Sequence, residues 1–195
     1  MIGRLAEVDP VLGELEEELG SLNSPKTVKP CTLALIFKQD RSKVLLGYKK
    51  RGFGVGLYNG FGGKIQHEES ALEGAKRELE EESGLTSEDL VKIGILYFEF
   101  ESDPVILTAH LYTSDRFNGV PVETEEMRPE WFDINNIPFT KMWNDDKYWF
   151  SFAVENKPFI ARFSFKSDLK TIVRHNINFV DPQLLNEVPI WYPKS

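Results

Sequence analysis

The sequence predicts a mixed α/β domain of the α+β kind, a mixed sheet with helices packed on it. Three observations predict it. Short apolar runs such as "CTLALIF", "VLLGYKK" and "VILTAHLYTS" alternate with polar turns. One segment carries both helix-end signals, Ser70 with Glu73 at its start and Gly84 at its end. The 195 residues are enough for one well-filled domain with extensions, and a second full domain is not expected.

Residues 1–30 read as an N-terminal acidic extension and residues 31–195 as the domain. Within the extension, "PVLGELEEELGSL" has the spacing of a short acidic amphipathic helix, either a docking segment or a loosely attached one. "NSPKTVKP" reads as a linker, because two prolines and small polar residues interrupt any pattern. "CTLALIF" and "VLLGYKK" read as two strands joined by a polar turn, the first buried on both faces. A glycine-dense loop, Gly52 to Gly63, follows, and then the capped helix. "KIGILYFEFE" and "VILTAHLYTS" form a further strand pair around "SDP". "PEWFDI" and "FIARFSF" are two more strand candidates flanking the aromatic-rich "IPFTKMWNDDKYWFSFAVEN". The C-terminal "NEVPIWYPKS" carries no functional signal.

A formal net charge of -8 disfavours a protein that grips a nucleic acid polymer, since phosphate neutralisation needs clustered Lys and Arg. A small anionic ligand remains compatible if metal ions mediate. The lone cysteine, Cys31, excludes an internal disulfide framework and reads as core in a reducing compartment. No stretch reaches the roughly eighteen apolar residues that cross a bilayer, and the N-terminus has neither secretory nor transit composition. The expectation is a soluble monomer in the cytoplasm, with the nucleus and mitochondrion as further compartments, and no membrane partner.

The capped helix is unusually acidic near its end, with Glu78, Glu80, Glu81 and Glu82 where the helix dipole disfavours negative charge. At about 100° per residue, Leu72, Ala75 and Leu79 fall on one stripe expected to face the core. Glu78 and Glu82 lie along one edge of it, and Glu81 further round. Partly desolvated carboxylates repel strongly, and divalent cations would reverse the sign: Mg²⁺ takes one or two carboxylates per ion plus water and phosphate oxygens. Arg77 sits where it can pair with Glu81 or a backbone oxygen and hold the cluster in shape. Periodicity alone equally admits a solvated acidic face supported by Lys76 with Glu80 and Arg77 with Glu81.

Gly63, Glu69, Arg77-Glu78-Leu79, Glu81-Glu82 and Gly84-Leu85 stand at the spacing of the Nudix box, and the chain resembles the Nudix hydrolases at every fixed position. The resemblance implies an α/β/α sandwich with a catalytic loop-helix-loop that splits a nucleoside diphosphate linked to another group, using Mg²⁺ or Mn²⁺. It implies metal ligation by the Gly63 carbonyl and by Glu78, Glu81 and Glu82, with Glu82 or a nearby carboxylate as the base that activates water. Arg77 joins this catalytic set.

Outside the box, "VLLGYKKRGFGVGLYNGFGGK", "LYFEF", "ETEEMRPEWF" and "IPFTKMWNDDKYWF" are similar to the branch of that family that hydrolyses oxidised purine nucleoside triphosphates, from about Thr32 to the strand near Phe165. Taken alone, "WNDDKYWF" reads as an aromatic core segment with an aspartate turn. With the resemblance it reads as a base pocket: Trp143 as a stacking platform, Asp145 and Asp146 as one carboxylate acceptor and one protonated donor, Asn59 as an amide for the remaining edge, Phe53 and Phe98 as walls. The same resemblance implies substrate contacts for Thr32 and Lys49, the latter the best candidate of the basic run Lys49 to Arg51. It also implies a further metal carboxylate at Glu126, which otherwise reads as a loop acid. His67 and His110 have no metal-ligand spacing and read as structural or surface residues. Leu107 and Thr108 depart from the branch, which carries a methionine and an aspartate there near the base pocket, and the first hairpin turn is longer by about two residues.

The expected function is Mg²⁺-dependent hydrolysis of oxidised purine (deoxy)nucleoside triphosphates, such as 8-oxo-dGTP and 2-hydroxy-dATP, to the monophosphate and pyrophosphate. That reaction sanitises the nucleotide pool and prevents DNA damage. Two rivals share parts of the pattern: a Nudix hydrolase of another nucleoside diphosphate derivative, and a non-catalytic nucleotide-binding module.

Overall fold

The structure, a computed structural model, describes residues 27–187. In chain order its strands are β1 (Thr27–Phe37), β2 (Lys43–Lys49), β3 (Tyr58–Asn59), β4 (Val91–Phe100), β5 (Asp103–Ser114), β6 (Met127–Asp133), β7 (Phe159–Phe165) and β8 (Ile172–Phe179). The helices are α1 (Ala71–Ser83), α2 (Asp146–Val154) and α3 (Pro182–Glu187). The strands form one sheet in the order β3-β2-β1-β5-β4-β7-β8, with β6 on the other side of β2. β1 runs parallel to β5 and β4 parallel to β7, while the remaining pairs are antiparallel, so the sheet is mixed as expected.

Side chains alternate across a strand, and the two faces of this sheet meet different helices. On one face Leu33, Leu35, Phe37, Leu96, Ala109, Leu111 and Phe163 pack with Trp149, Phe150 and Ala153 of α2. On the other, Ala34, Ile36 and Tyr112 pack with Ala71, Ala75 and Leu79 of α1. Ile95, Tyr97 and Ile106 lie on that second face too and cover Leu184 and Leu185 of α3. The result is an α/β/α sandwich. It explains the unbroken apolar run of β1, whose residues Leu33 to Phe37 are buried on both sides.

Several boundaries differ from the sequence expectation. β1 begins at Thr27, because Thr27 to Pro30 continue the parallel register with Val105 to Thr108, so the end of the supposed linker is strand. The acidic helix expected in the extension lies outside the described residues. The aromatic stretch after β6 contains α2, and β8 and α3 had no expectation at all. β8 is an edge strand whose Val173 to Asn176 are exposed, so it lacks the apolar alternation by which strands are recognised.

Candidate active site

The loop before α1 is built into the sheet. Phe61 exchanges hydrogen bonds with Ala34, the Thr32 amide donates to the Gly63 carbonyl at 2.8 Å, and the Ile65 amide donates to Pro30. This wedges residues 59–65 beside β1. A Cβ on Gly62 would lie 2.0 Å from the Thr32 carbonyl oxygen, so the close approach of loop and strand requires glycine there, while a Cβ on Gly63 would push aside the Glu78 carboxylate at 2.5 Å. α1 opens with a complete Ser70–Glu73 capping box and closes on Gly84 in the left-handed region, φ 71°, whose amide donates to Glu80. The Gly63 carbonyl, expected to ligate metal, is directed at β1 by its bond to Thr32.

The buried face of α1 carries Ala71, Gly74, Ala75, Leu79, Glu82 and Ser83. Leu72, expected on the core stripe, is 37% exposed. At about 100° per residue the buried arc centres between Ala75 and Glu82, and Leu72, though within that arc, lies in the first turn, at the end of the helix where cover is least. Glu82 is therefore central to the buried face, where a carboxylate needs partners. It accepts the Gly62 amide at 2.8 Å and the Lys49 ammonium at 2.8 Å. Burial still raises its pKa above the ordinary range, with Lys49 and the Gly62 amide pulling the other way.

Lys49, the last residue of β2, joins α1 to the loop before β6. Its Nζ lies 2.8 Å from Glu82 and 2.5 Å from Glu126 Oε1. Burial opposes its charge, but the hydrogen bonds it donates to Glu126 and Glu82 outweigh that and raise its pKa. Glu126 moves the opposite way, lowered chiefly by its Lys49 bond, and also receives Arg51 at 3.2 Å.

Arg77 organises the second half of the cluster. It grips Glu69 through Nε at 2.7 Å and Nη2 at 3.0 Å, reaches Glu78 at 2.7 Å and Glu81 at 3.1 Å, and donates to the Lys64 carbonyl at 3.1 Å. It thus makes both of the contacts the helix geometry offered it. Its bonds to Glu69 raise its own pKa and lower that of Glu69, whose Oε2 also receives the Gln66 amide. Glu81 is the most exposed of the box carboxylates.

Among the described residues no three acidic, His or Cys side chains converge as a ready-made metal cage. The carboxylates converge on the chain's own cations instead. Two glutamate oxygens from different elements hold the Lys49 ammonium, and such hard oxygen donors also suit Mg²⁺ or Mn²⁺. The residues present therefore fit a divalent ion.

A second group of residues lies on the α2 face. The Asp145 and Asp146 side chains are 3% and 2% exposed. Trp149 Nε1 donates to Asp145 Oδ2 at 2.9 Å, and the Trp143 amide donates to Asp146 Oδ2 at 3.1 Å. Burial pushes Asp145 up to about 6 and lifts Asp146 well above the carboxylate range, with the Asp145 charge adding to it. Asp146, raised further than Asp145, keeps its proton to higher pH, so the pair can present one donor and one acceptor. The Trp143 ring stacks on Phe53 at 4.9 Å between centroids. Phe98 stacks on Phe163 and faces Leu107 across β4 and β5. Residues 50–57 connect the two groups: Lys49 pins both ends of this loop through Leu57 and Gly56, and the loop carries Phe53 to Trp143.

Other sequence candidates fall elsewhere. Strand alternation puts the Thr32 side chain on the α1 face, against Gly74, away from the Asp145 turn, so its side chain is not a wall of that pocket. Thr108 sits on the same far face beside Tyr97, leaving Leu107 alone of the two departures on the pocket side. Asn59 bonds within its own loop, its Oδ1 accepting the Gly60 amide. His67 is exposed, and His110 is fully buried, its pKa pushed down to about 3 by burial and Lys92. The Cys31 thiol is pushed up to about 12 by burial, in keeping with a core residue. Trp149, one helical turn after Asp145, escaped the sequence reading, and Glu69, which entered there only as a fixed box position, is the anchor of Arg77.

A family model described as the NUDIX domain matches residues 28–152. The oxidized purine nucleoside triphosphate hydrolase of Mus musculus is 47% identical over 150 residues, 77% of this chain and 94% of that protein. The protein of the same description from Danio rerio is 46% identical over 155 residues, 80% of this chain and 97% of its own length. A crystal structure of the MutT protein from Bacillus halodurans superposes with a TM-score of 0.68 at 22% identity, covering 77% of this chain and 97% of that one, a likeness of fold alone.

Proposed function

The chain belongs to the Nudix hydrolase family, and on that premise we propose that it hydrolyses oxidised purine (deoxy)nucleoside triphosphates to the monophosphate and pyrophosphate with Mg²⁺ as its ion. The observation that carries the substrate reading is the buried Asp145–Asp146 pair, held by Trp149 and the Trp143 amide on one side of a stacking ring. A pair that holds one proton offers a donor and an acceptor together. That matches the edge of 8-oxoguanine, and movement of the proton suits a modified adenine such as 2-hydroxyadenine.

Glu78, Glu81, Glu82 and Glu126 are the residues that would hold the divalent ions. Bound ions would polarise the phosphate oxygens and lower the pKa of water. The chain's own part is positional. Glu82, buried and with a raised pKa, is placed to take the proton of the attacking water, while Arg77 fixes Glu78 and Glu81 through Glu69. The stacked Phe53–Trp143 pair offers the base one aromatic surface, and Lys49 offers a cation to the phosphates. In the balanced reaction, water adds to phosphorus, the bridging oxygen leaves with pyrophosphate, and one nucleoside monophosphate is released. Among the described residues no helix is long and apolar enough to cross a membrane.

The test is pyrophosphate release from 8-oxo-dGTP, 2-hydroxy-dATP, dGTP, a dinucleoside polyphosphate and a sugar nucleotide, each with and without Mg²⁺. The reading expects Mg²⁺-dependent turnover with the oxidised purines fastest. Preferred turnover of a dinucleoside polyphosphate or a sugar nucleotide would assign another substrate class, and no turnover of any would leave a binding module.

A further inference from the structure

We propose that Lys49 is the resident counter-ion of the carboxylate site: its ammonium fills the cation seat between Glu82 and Glu126 until a divalent ion enters, and is then displaced toward the phosphates. The proposal rests on the divalent-metal reading above and deepens it. Nζ touches one oxygen from α1 and one from the loop before β6, two elements far apart in sequence, at 2.8 and 2.5 Å. The Lys49 side chain is 13% exposed and that of Glu82 is 5% exposed, so this pairing is shielded from bulk water and differs from an ordinary surface ion pair. Arg77 cannot take the same place, because Glu69, Glu78 and the Lys64 carbonyl already fix its guanidinium.

A divalent ion between the same oxygens would face the ammonium at contact distance, and like charges there repel strongly. One seat therefore has two alternative tenants. The backbone of Lys49 is held by Leu57 and Gly56, so its side chain alone needs to swing on a flexible four-carbon stem. In the metal-free protein the lysine keeps buried Glu82 compensated and the two elements in register, and the ion then exchanges into an assembled site.

The experiment is Mn²⁺ titration without nucleotide, followed by the paramagnetic resonance of the free ion, for wild type, Lys49→Met, Lys49→Arg and Lys50→Met. Removing the tenant should tighten Mn²⁺ binding by about tenfold, a change of the size expected for a shielded pair. Lys49→Arg should stay near wild type. Lys50→Met makes the same charge change at a residue bonded to Glu123 and Thr124, and should shift affinity by less than about twofold, as screened surface charges do. Metal-free Lys49→Met should melt below wild type and recover with Mn²⁺. Should Lys49→Met not fold, reductive methylation of the wild type decides: Lys49 should react slowly alone and several-fold faster with Mg²⁺. Equal affinities in wild type and Lys49→Met, equal shifts in Lys49→Met and Lys50→Met, or methylation indifferent to Mg²⁺ would each overturn the shared seat alone. Failure of wild type to bind Mn²⁺ at all would overturn the metal reading and the shared seat with it.

Discussion

Trp149 donates its indole N–H to Asp145 at 2.9 Å from one helical turn away, and both side chains are buried. The bond orients the carboxyl and lowers its pKa against the larger effect of burial. Trp149→Phe keeps an aromatic ring but leaves a buried acceptor without its donor, which costs about 1–3 kcal/mol. We expect urea denaturation to show a loss of that size. The ratio of kcat/KM for 8-oxo-dGTP over dGTP should fall, because Asp145 becomes less well oriented and more fully protonated. An unchanged ratio would mean that Asp145 does not read the base.

The aspartate pair also predicts a pH dependence. Both native pKa values are raised, Asp145 to about 6 and Asp146 further, whereas unfolded aspartates titrate near about 3.9. The native state holds protons that the unfolded state has released. The pair's contribution to stability is therefore complete below about 3.9 and is lost as pH rises through 6 and above. Buried His110, lowered to about 3, acts in the opposite sense, since the unfolded chain takes up its proton below about 6.5. Asp146→Asn removes the Asp146 part of the first effect and leaves that of buried Asp145 and the second effect in place. Its stability relative to wild type, measured by urea denaturation from pH 4 to 8, should rise with pH. Parallel curves for the two proteins would contradict the raised pair.

Among the described residues Thr32 Oγ1, Thr108 Oγ1 and both His110 nitrogens, on the α1 and α3 face, are buried and find no hydrogen-bond partner. Thr108→Val keeps the shape and removes one unpaired hydroxyl. Calorimetry should find it neutral or more stable by up to about 1 kcal/mol. Its base preference should match wild type, because the side chain points away from the Asp145 turn. A changed preference would place Thr108 in the pocket after all.

The parts of this site that read directly from sequence are local. Ser70, Glu73 and Gly84 lie within one helix and its caps, so their geometry follows from spacing, as does the bond from Arg77 to Glu81. The burial of Glu82 is tertiary, since its partners Lys49 and Gly62 come from β2 and the loop before α1. The faces of Thr32 and Thr108 were not legible, because a strand's two faces cannot be assigned until its neighbours are known. The Lys49 bridge joins three segments that no local pattern connects, and the exposed strand β8 lacks the apolar alternation that would announce it.

The central claim is that the crowded glutamates form a hydrolytic metal site in which the buried Glu82 acts. Its most direct test is pyrophosphate release from 8-oxo-dGTP at saturating Mg²⁺ by wild type and Glu82→Gln. The amide is nearly isosteric and can still bond Gly62, so the variant should fold and bind nucleotide. Its kcat should fall by a factor on the order of 10²–10⁴, the usual contribution of a positioned base. A folded Glu82→Gln protein that turns over at the wild-type rate would contradict the account.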